Sequence, residues 1–273
     1  MASSTITAAT RLGAVLGWPV AHSKSPALHN AAFAAVGIDA VFVALAVPPA
    51  EVATVIRGLA ACGALGASVT VPHKEAALAA CTRVDPLAAR AGAVNCVVFD
   101  GGASIGHNTD AGGFIDALTA AGLDAGVRAG GRAVLLGGGG AARAVAVGLA
   151  DAGADVSVVA RRPDVVSWRA ARPWAELGEL LAGAALLVDC TSAGLADDTD
   201  RALADAVPLD RLPASAAVAT LVYHRPTELV ARAAARGHGT TDGAGMLLHQ
   251  GARAFTLWTG RPAPLDVMAR ALH

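Results

Sequence analysis

Short apolar runs alternate with alanine-rich runs along almost the whole chain. Several apolar runs are hydrophobic at every position, which is typical of strands that are covered on both faces of a sheet. The pattern predicts strands over residues 41–47, 67–70, 93–99, 132–136, 155–160, 185–189 and 216–223, and helices over 26–36, 50–62, 72–81, 110–121, 140–152, 227–235 and 245–258. This alternation predicts an α/β protein with parallel sheets.

Composition narrows the class of protein. The 273 residues are 54% hydrophobic and 16% charged, and 21 Lys and Arg against 22 Asp and Glu give a net charge of -1. That balance argues against nucleic acid or a membrane surface as a partner. We expect a cytoplasmic protein without a metal site, because residues 1–10 lack a signal-peptide pattern and the four cysteines have no metal-ligand spacing.

A glycine-rich run predicts a dinucleotide site in the second half of the chain. Gly137, Gly138, Gly139, Gly140 and Ala141 follow one predicted strand and begin a predicted helix. Glycines allow the backbone to approach a pyrophosphate, and the helix N-terminus supplies free N–H groups and a positive dipole end. The alternative is a tight turn, but the strand before and the helix after are the context that the dinucleotide motif requires.

The end of the next predicted strand indicates which dinucleotide binds. Arg161 and Arg162 stand where a dinucleotide fold places the adenosine ribose. Arginine suits a 2′-phosphate and therefore NADP, whereas an acidic residue suits the free 2′-hydroxyl of NAD. Asp164 is an acidic residue close by, so NAD remains an alternative cofactor. The alternative to a binding site is that the two arginines belong to a solvated basic turn.

Two polar clusters in the first half stand at predicted helix starts. Ser25 suits an N-cap before Pro26, and Ser23 and Ser25 together could receive a small carboxylate. Lys74 follows a predicted strand and lies in the first turn of a helix, where the helix dipole disfavours a cation. The position suits a catalytic proton donor, although an ordinary surface lysine is the alternative.

Two further polar residues complete the candidate site. The Asn95 amide can both donate to and accept from a substrate hydroxyl, or belong to a turn. Asp110 caps a predicted helix or, within reach of Lys74, holds a substrate hydroxyl between a carboxylate and an ammonium group.

The positions of the motifs predict the domain boundaries. We expect a substrate domain over 1–109, a nucleotide domain over 110–242 and a C-terminal segment over 243–273.

Together these motifs resemble those of the shikimate dehydrogenase family, over nearly the whole chain. Each motif alone is modestly specific, and their shared order carries the resemblance. The matching stretches are residues 17–30, 69–74, 92–95, 108–110, the glycine loop from Gly137, 191–194 and 243–251.

The resemblance implies a fold, a reaction and a set of site residues. The fold is an α/β substrate domain, a Rossmann-type domain and C-terminal helices that pack back on the first domain. The reaction is NADPH-dependent reduction of 3-dehydroshikimate to shikimate, a cytoplasmic step of chorismate and aromatic amino acid biosynthesis, by a monomer or homodimer. Lys74 and Asp110 would be catalytic. Substrate ligands would be Ser23, Ser25, Thr70, Asn95, Tyr223 and Gln250, and cofactor ligands Gly137 to Ala141, Arg161, Arg162, Thr191, Leu221 and Gly243.

Several positions depart from the family pattern, and they keep alternatives open. The departures are Ser68, Cys96, Ala160, Val165, Thr220 and a turn after Tyr223 that is one residue short. Ala160 and Val165 bear on NADP preference. A quinate or aminoshikimate dehydrogenase of the same family is one alternative, and a noncatalytic dinucleotide-binding regulator is another.

Overall fold

The computed structural model describes residues 6–272, so the N-terminal stretch interpreted from sequence is described only from residue 6. The chain divides into two compact units. The first contains residues up to Thr109 together with Leu248 onwards, and the second spans Asp110–Leu247. None of the helices within residues 6–272 is long and apolar enough to span a membrane.

The first unit contains a six-stranded sheet and the helices that cover it. Its strands are β1 (Arg11–Gly17), β2 (Ala40–Ala46), β3 (Gly66–Val69), β4 (Arg83–Val84), β5 (Cys96–Asp100) and β6 (Ala103–His107). Its helices are α1 (Ser25–Ala35), α2 (Val52–Ala61), α3 (Lys74–Ala80), α4 (Pro86–Ala91) and, at the C-terminus, α12 (Leu265–Arg270).

The sheet of the first unit is mixed, which corrects the expectation of parallel sheets alone. The strand order is β2-β1-β3-β5-β6-β4, and β5 runs antiparallel to both β3 and β6. Gly101 and Gly102, with φ of 55° and 82°, form the two-residue turn between β5 and β6. A two-residue hairpin turn requires positive φ at these positions, so this glycine pair reverses the chain where a helical crossover would keep it parallel.

The second unit contains an all-parallel sheet. Its strands are β7 (Arg132–Leu136), β8 (Asp155–Ala160), β9 (Arg172–Pro173), β10 (Ala184–Asp189), β11 (Ala217–Thr220) and β12 (Thr240–Thr241), in the order β12-β11-β10-β7-β8-β9. Its helices are α5 (Asp110–Ala120), α6 (Ala125–Arg128), α7 (Gly140–Asp151), α8 (Leu177–Leu181), α9 (Asp197–Ala206) and α10 (Glu228–Ala235). Helix α11 (Gly243–Thr259) begins in this unit and ends in the first.

Alternate residues of the central strands enter two separate apolar clusters. Val134 and Leu136 of β7 pack with residues of α8, α9 and α10, whereas Ala133 and Leu135 pack with residues of α5 and α7. The sheet is therefore covered on both faces, as the uninterrupted apolar runs predict. The chain continues from β7 to β8 on one side and β10 lies on the other, which leaves a crevice at the carboxyl end of β7 where such folds bind nucleotides.

Strand β1 and helix α9 are among the elements absent from the sequence prediction. Strand β1 was missed because Gly13 and Gly17 weaken its strand pattern, yet a Cβ on Gly13 would lie 2.7 Å from the Phe42 ring. Helix α9 was missed because its first turn holds Asp197, Asp198 and Asp200, which give it the composition of a loop. Acidic residues are favourable in a first helical turn, since they face the positive end of the helix dipole.

Candidate active site

The carboxyl ends of β1 and β3 form the base of the candidate substrate site in the first unit. The Thr70 N–H donates to the Leu16 carbonyl oxygen at 2.9 Å, which continues the pairing of the two parallel strands. A Cβ on Gly17 would lie 2.5 Å from the Thr70 methyl group. The lack of a side chain at Gly17 is therefore what allows Thr70 to occupy this edge.

Ser23 lies in the connection between β1 and α1, and Ser25 begins α1. The Ser25 N–H donates to Ser23 Oγ at 3.3 Å, and Ser25 is buried. The N-cap prediction for Ser25 is wrong, because Lys24 already has helical backbone angles and is the N-cap, without a side-chain cap. Ser25 is instead the first helical residue, so its hydroxyl lies within the first turn and its N–H is held by Ser23.

Lys74 is the first residue of α3, and its backbone is fixed from two directions. The preceding His73 is buried, and its ring Nε2–H donates to the Val47 carbonyl oxygen at 2.8 Å. The Lys74 carbonyl oxygen accepts from the Val94 N–H at 2.9 Å. The Lys74 side chain is half-buried.

Asn95 organises a buried hydrogen-bond network next to Thr70. Its Oδ1 accepts from the Thr109 N–H at 2.7 Å, and its Nδ2 donates to Thr109 Oγ1 at 2.9 Å and to Gln250 Oε1 at 3.4 Å. The Asn95 carbonyl oxygen accepts from the Val69 N–H, which ties the network to β3. The site prediction omitted Thr109, although it belongs to a motif that the sequence supplies.

Asp110 and Tyr223, the remaining residues predicted to meet the substrate, belong to the second unit. Asp110 is buried and begins α5, so its peptide bond to Thr109 joins the two units. Tyr223 is half-buried, and burial raises the pKa of its phenol. Its hydroxyl therefore stays protonated near neutral pH and can donate a hydrogen bond.

The glycine loop lies at the carboxyl end of β7, and its geometry fits a dinucleotide. Gly137 has φ of 99°, which favours glycine, and its N–H donates to the Val159 carbonyl oxygen at 2.8 Å. A Cβ on Gly139 or Gly140 would meet nothing within 4 Å, so the N-terminus of α7 is open. Open N–H groups at a helix start are the arrangement that a pyrophosphate requires.

The segment after β8 packs directly on this loop. Trp168 Nε1–H donates to the Gly138 carbonyl oxygen at 2.8 Å, and a Cβ on Gly138 would lie 2.3 Å from a Val166 methyl group. Arg161 and Arg162, which follow β8, are exposed. The sequence gives no signal for the Trp168 contact, since it joins residues 30 positions apart.

Asp189, at the end of β10, positions residues on the other side of the candidate cofactor site. Its buried Oδ1 accepts from the Thr191 N–H at 2.9 Å and from Thr191 Oγ1 at 2.7 Å. Thr220 Oγ1 donates to the other carboxylate oxygen at 3.4 Å. Burial raises the pKa of Asp189, and the hydrogen bonds from Thr191 and Thr220 oppose that shift. Thr191 is thus positioned by an acid that the site prediction omitted.

Leu221 and Gly243 lie on the same side of the candidate cofactor site as Asp189. The Leu221 N–H donates to the Asp189 carbonyl oxygen at 3.1 Å, and the Gly243 N–H donates to the Val222 carbonyl oxygen at 2.9 Å. A Cβ on Gly243 would lie 2.2 Å from the Leu221 carbonyl oxygen. Only glycine therefore allows α11 to begin against this strand end.

Two family models and a curated relative match this chain. The model of the shikimate dehydrogenase substrate binding domain matches residues 15–97, and that of the shikimate 5'-dehydrogenase C-terminal domain matches 243–273. An NADP(+) shikimate dehydrogenase of Symbiobacterium thermophilum is 45% identical over 280 residues, covering 96% of this chain and 93% of the relative. The chain belongs to the shikimate dehydrogenase family.

Solved structures of the family have the same fold. The shikimate 5-dehydrogenase of Thermus thermophilus, in complex with NADP(H) and shikimate, has a TM-score of 0.84 and 38% identity, covering 96% of this chain and 98% of that one. The shikimate 5-dehydrogenase of Listeria monocytogenes, in complex with shikimate and NAD, has a TM-score of 0.88 and 30% identity, covering 99% of both. Both nicotinamide dinucleotides therefore occur in structures of this family.

In this family member, the first unit groups Thr70, Lys74, Asn95 and Gln250 at one edge of its sheet. Ser23 lies just before α1, and Ser25 is its first residue. The second unit groups the glycine loop, Arg161, Arg162, Thr191, Leu221 and Gly243 at the carboxyl edge of its own sheet. Within residues 6–272 no group of three or more His, Cys, Asp or Glu side chains could hold a metal ion.

Proposed function

We propose that the protein catalyses the reversible, NADPH-dependent reduction of 3-dehydroshikimate to shikimate, in chorismate and aromatic amino acid biosynthesis. The observation that carries the proposal is the buried Asn95 network with Thr109 and Gln250 beside the backbone-anchored Lys74. It stands in a chain that is 45% identical to an NADP(+) shikimate dehydrogenase over almost its full length. Donors and acceptors fixed at one sheet edge suit a small polyhydroxylated acid.

The second unit would hold NADP. The N–H groups from Gly137 to Ala141 would bind the pyrophosphate, and Arg161 and Arg162 the 2′-phosphate. Thr191, Leu221 and Gly243 would surround the nicotinamide half. When bound, the reduced nicotinamide supplies the hydride for the reduction, and its oxidised form accepts a hydride in the reverse direction.

The first unit would bind most of the substrate. Ser23 and Ser25 would donate hydroxyl hydrogen bonds to the substrate carboxylate, with Tyr223 as a further donor. The ring hydroxyls would meet Thr70, Asn95 and Gln250. Because Asn95 and Gln250 already share a hydrogen bond, a substrate hydroxyl would bind to a preorganised pair of amides.

Lys74 would move the proton that accompanies the hydride. In the reduction its ammonium group donates a proton to the substrate oxygen, and in the oxidation the neutral amine takes that proton back. Asp110 is its proposed partner at the reacting oxygen. The fixed backbone of Lys74 supports this role, since a proton donor must stand at a defined distance from the oxygen it serves.

The first test is a set of initial rates followed by nicotinamide absorbance, with shikimate or quinate as substrate and NADP⁺ or NAD⁺ as cofactor. We expect strong activity with shikimate and NADP⁺. Preference for quinate or for NAD⁺ would overturn the substrate or the cofactor assignment, respectively. No activity in any of the four combinations would overturn the proposed reaction.

A second test replaces the proposed proton donor. We expect Lys74→Ala to lower kcat by about 10²–10⁴-fold, the usual contribution of a positioned acid or base, while NADP⁺ binding persists. Glu75→Ala is the matched control, because Glu75 is exposed in the same helical turn. Wild-type turnover in Lys74→Ala would remove this residue from the mechanism.

A further inference from the structure

A cationic segment follows β8 and passes the glycine loop. Residues 161–170 contain Arg161, Arg162 and Arg169, and the acid among them is Asp164. All three arginines are exposed. Within residues 6–272 none of their side chains makes a hydrogen bond or ion pair with the protein. Three unneutralised guanidinium groups on ten residues form a strong attraction for a polyanion.

Trp168 attaches this segment to the candidate cofactor site. Its indole N–H reaches the Gly138 carbonyl oxygen at 2.8 Å, and its ring packs against the apolar cluster that contains Leu135 and Val158. Val166 occupies the space where Gly138 lacks a Cβ. The far end of the cationic segment is therefore held against the glycine loop by a hydrogen bond and by packing.

The hydrogen bond between Trp168 and Gly138 determines the position of the Arg169 backbone. Arg161 leaves the carboxyl end of β8, which is paired with β7 along its length, so it lies beside the glycine loop on the sheet side. Arg169 follows directly on the residue that contacts that loop, so both ends of the segment lie next to it. The backbone of the segment therefore approaches the loop at both ends, and each end carries an exposed arginine.

We propose that Arg169 is a third ligand for the 2′-phosphate of NADP, and that Trp168 is the residue that positions it. The inference rests on the proposed function, because it concerns the cofactor that the second unit binds. Arginine binds phosphate through paired N–H groups, so a third arginine beside Arg161 and Arg162 would strengthen the preference for a dinucleotide with a 2′-phosphate over one without it. Trp168 contributes to this choice through Arg169 alone.

The test measures 2′-phosphate recognition by the full chain without turnover. Dissociation constants of adenosine 2′,5′-bisphosphate and of 5′-AMP are measured by calorimetry, and their ratio gives the preference for the 2′-phosphate. We expect Arg169→Ala to lower this preference about tenfold and Trp168→Phe about threefold, with 5′-AMP binding unchanged. Arg169→Lys should restore part of the preference, since it keeps the charge and loses the paired donors.

Arg211→Ala is the matched control. Arg211 is also exposed, and it precedes β11 at the opposite, amino edge of the same sheet. The control should keep the wild-type preference. The ratio of kcat/KM for NADP⁺ to that for NAD⁺, measured with shikimate, should follow the binding ratio across the variants.

The outcomes separate this inference from the proposed function. A wild-type preference that Arg169→Ala leaves intact would overturn the role of Arg169 and leave NADP as the cofactor. Equal losses for both ligands in Trp168→Phe would mean that Trp168 supports only the glycine loop. Absence of any preference in the wild type would overturn the NADP assignment and, with it, this inference. Turnover that is absent while the binding ratios change as expected would overturn the reaction alone.

Discussion

His29 lies completely buried between aromatic rings in the first unit. Its ring centroid is 4.5 Å from that of Phe42 and 4.9 Å from that of Trp258. Among the described residues, neither of its ring nitrogens has a hydrogen-bond partner. Burial lowers the pKa of His29 from 6.5 to about 3, because the charged ring would be removed from water without compensation. The folded protein therefore keeps this ring neutral.

This burial predicts a loss of stability in acid. The folded pKa lies below the unfolded one, so the unfolded chain binds the extra proton as pH falls from about 6.5 toward 3. Between pH 7 and pH 5 we expect His29 to account for about 2 kcal/mol of lost unfolding free energy. Urea unfolding of wild type and His29→Leu at both pH values measures this difference.

The control for that experiment is His224→Leu, which replaces an exposed histidine. It should retain the full pH dependence of the wild type. Equal losses of stability between pH 7 and pH 5 in wild type and His29→Leu would contradict the prediction.

Helix α10 shows how one element is completed by another. Thr227 occupies its N-cap position, but the Thr227 hydroxyl makes no capping bond and is buried without a partner among the described residues. Asp200 of α9 acts instead, since its Oδ2 accepts from the Glu228 N–H at 3.0 Å and from Arg225 Nη2 at 2.8 Å. One buried carboxylate therefore caps α10 and holds the turn that follows Tyr223.

Asp200→Ala should destabilise the second unit by about 1–2 kcal/mol, the usual cost of removing a helix cap. The change also removes one of the two carboxylates that Arg225 contacts, and the other, Asp197, remains. Thr227→Val is the control, and it should be neutral or slightly stabilising because the hydroxyl that it removes makes no hydrogen bond. Thermal unfolding of both variants measures this. A larger loss of stability in Thr227→Val than in Asp200→Ala would show that Thr227, and not Asp200, caps α10.

The first unit is assembled from two distant stretches of the chain, and the C-terminal stretch completes its core. Trp258 Nε1–H donates to the Val97 carbonyl oxygen at 3.0 Å, and a Cβ on Gly66 would lie 2.2 Å from the Trp258 ring. Lys24 Nζ donates to the Leu272 carbonyl oxygen at 2.7 Å. Residues from 248 onwards are therefore part of the fold of the first unit.

Trp258→Ala should lower the stability of the first unit by about 3–5 kcal/mol, through lost packing and the lost hydrogen bond to the Val97 carbonyl oxygen. Leu257→Ala is the control, because Leu257 is exposed on the same helix. Calorimetry with and without NADP⁺ identifies the units, since a bound ligand raises the transition of the unit that holds it. If Trp258→Ala lowered only the unfolding transition that NADP⁺ raises, the placement of Trp258 in the core of the first unit would be contradicted.

Local pattern predicted much of the second unit. The bounds of β7 and β8 agree with the sequence prediction, and α7 begins at Gly140 as expected, because apolar runs and glycines act through short-range backbone preferences. The same reasoning missed β4 and β9, each of two residues, since such short strands exist only through pairing with a neighbour. Capping was also misassigned at Ser25, where the helix starts one residue earlier than the local signal indicates.

The sequence by itself determined the α/β class, the glycine loop at a strand end and the family, because those depend on residues close together in the chain or on motifs in a fixed order. Only the tertiary structure decided the contacts that join distant residues. Asn95 meets Gln250 across 155 positions, Trp168 meets Gly138 and Asp189 holds Thr220. Such contacts depend on how strands and helices pack, and a one-dimensional pattern contains no record of which buried donor will face which acceptor.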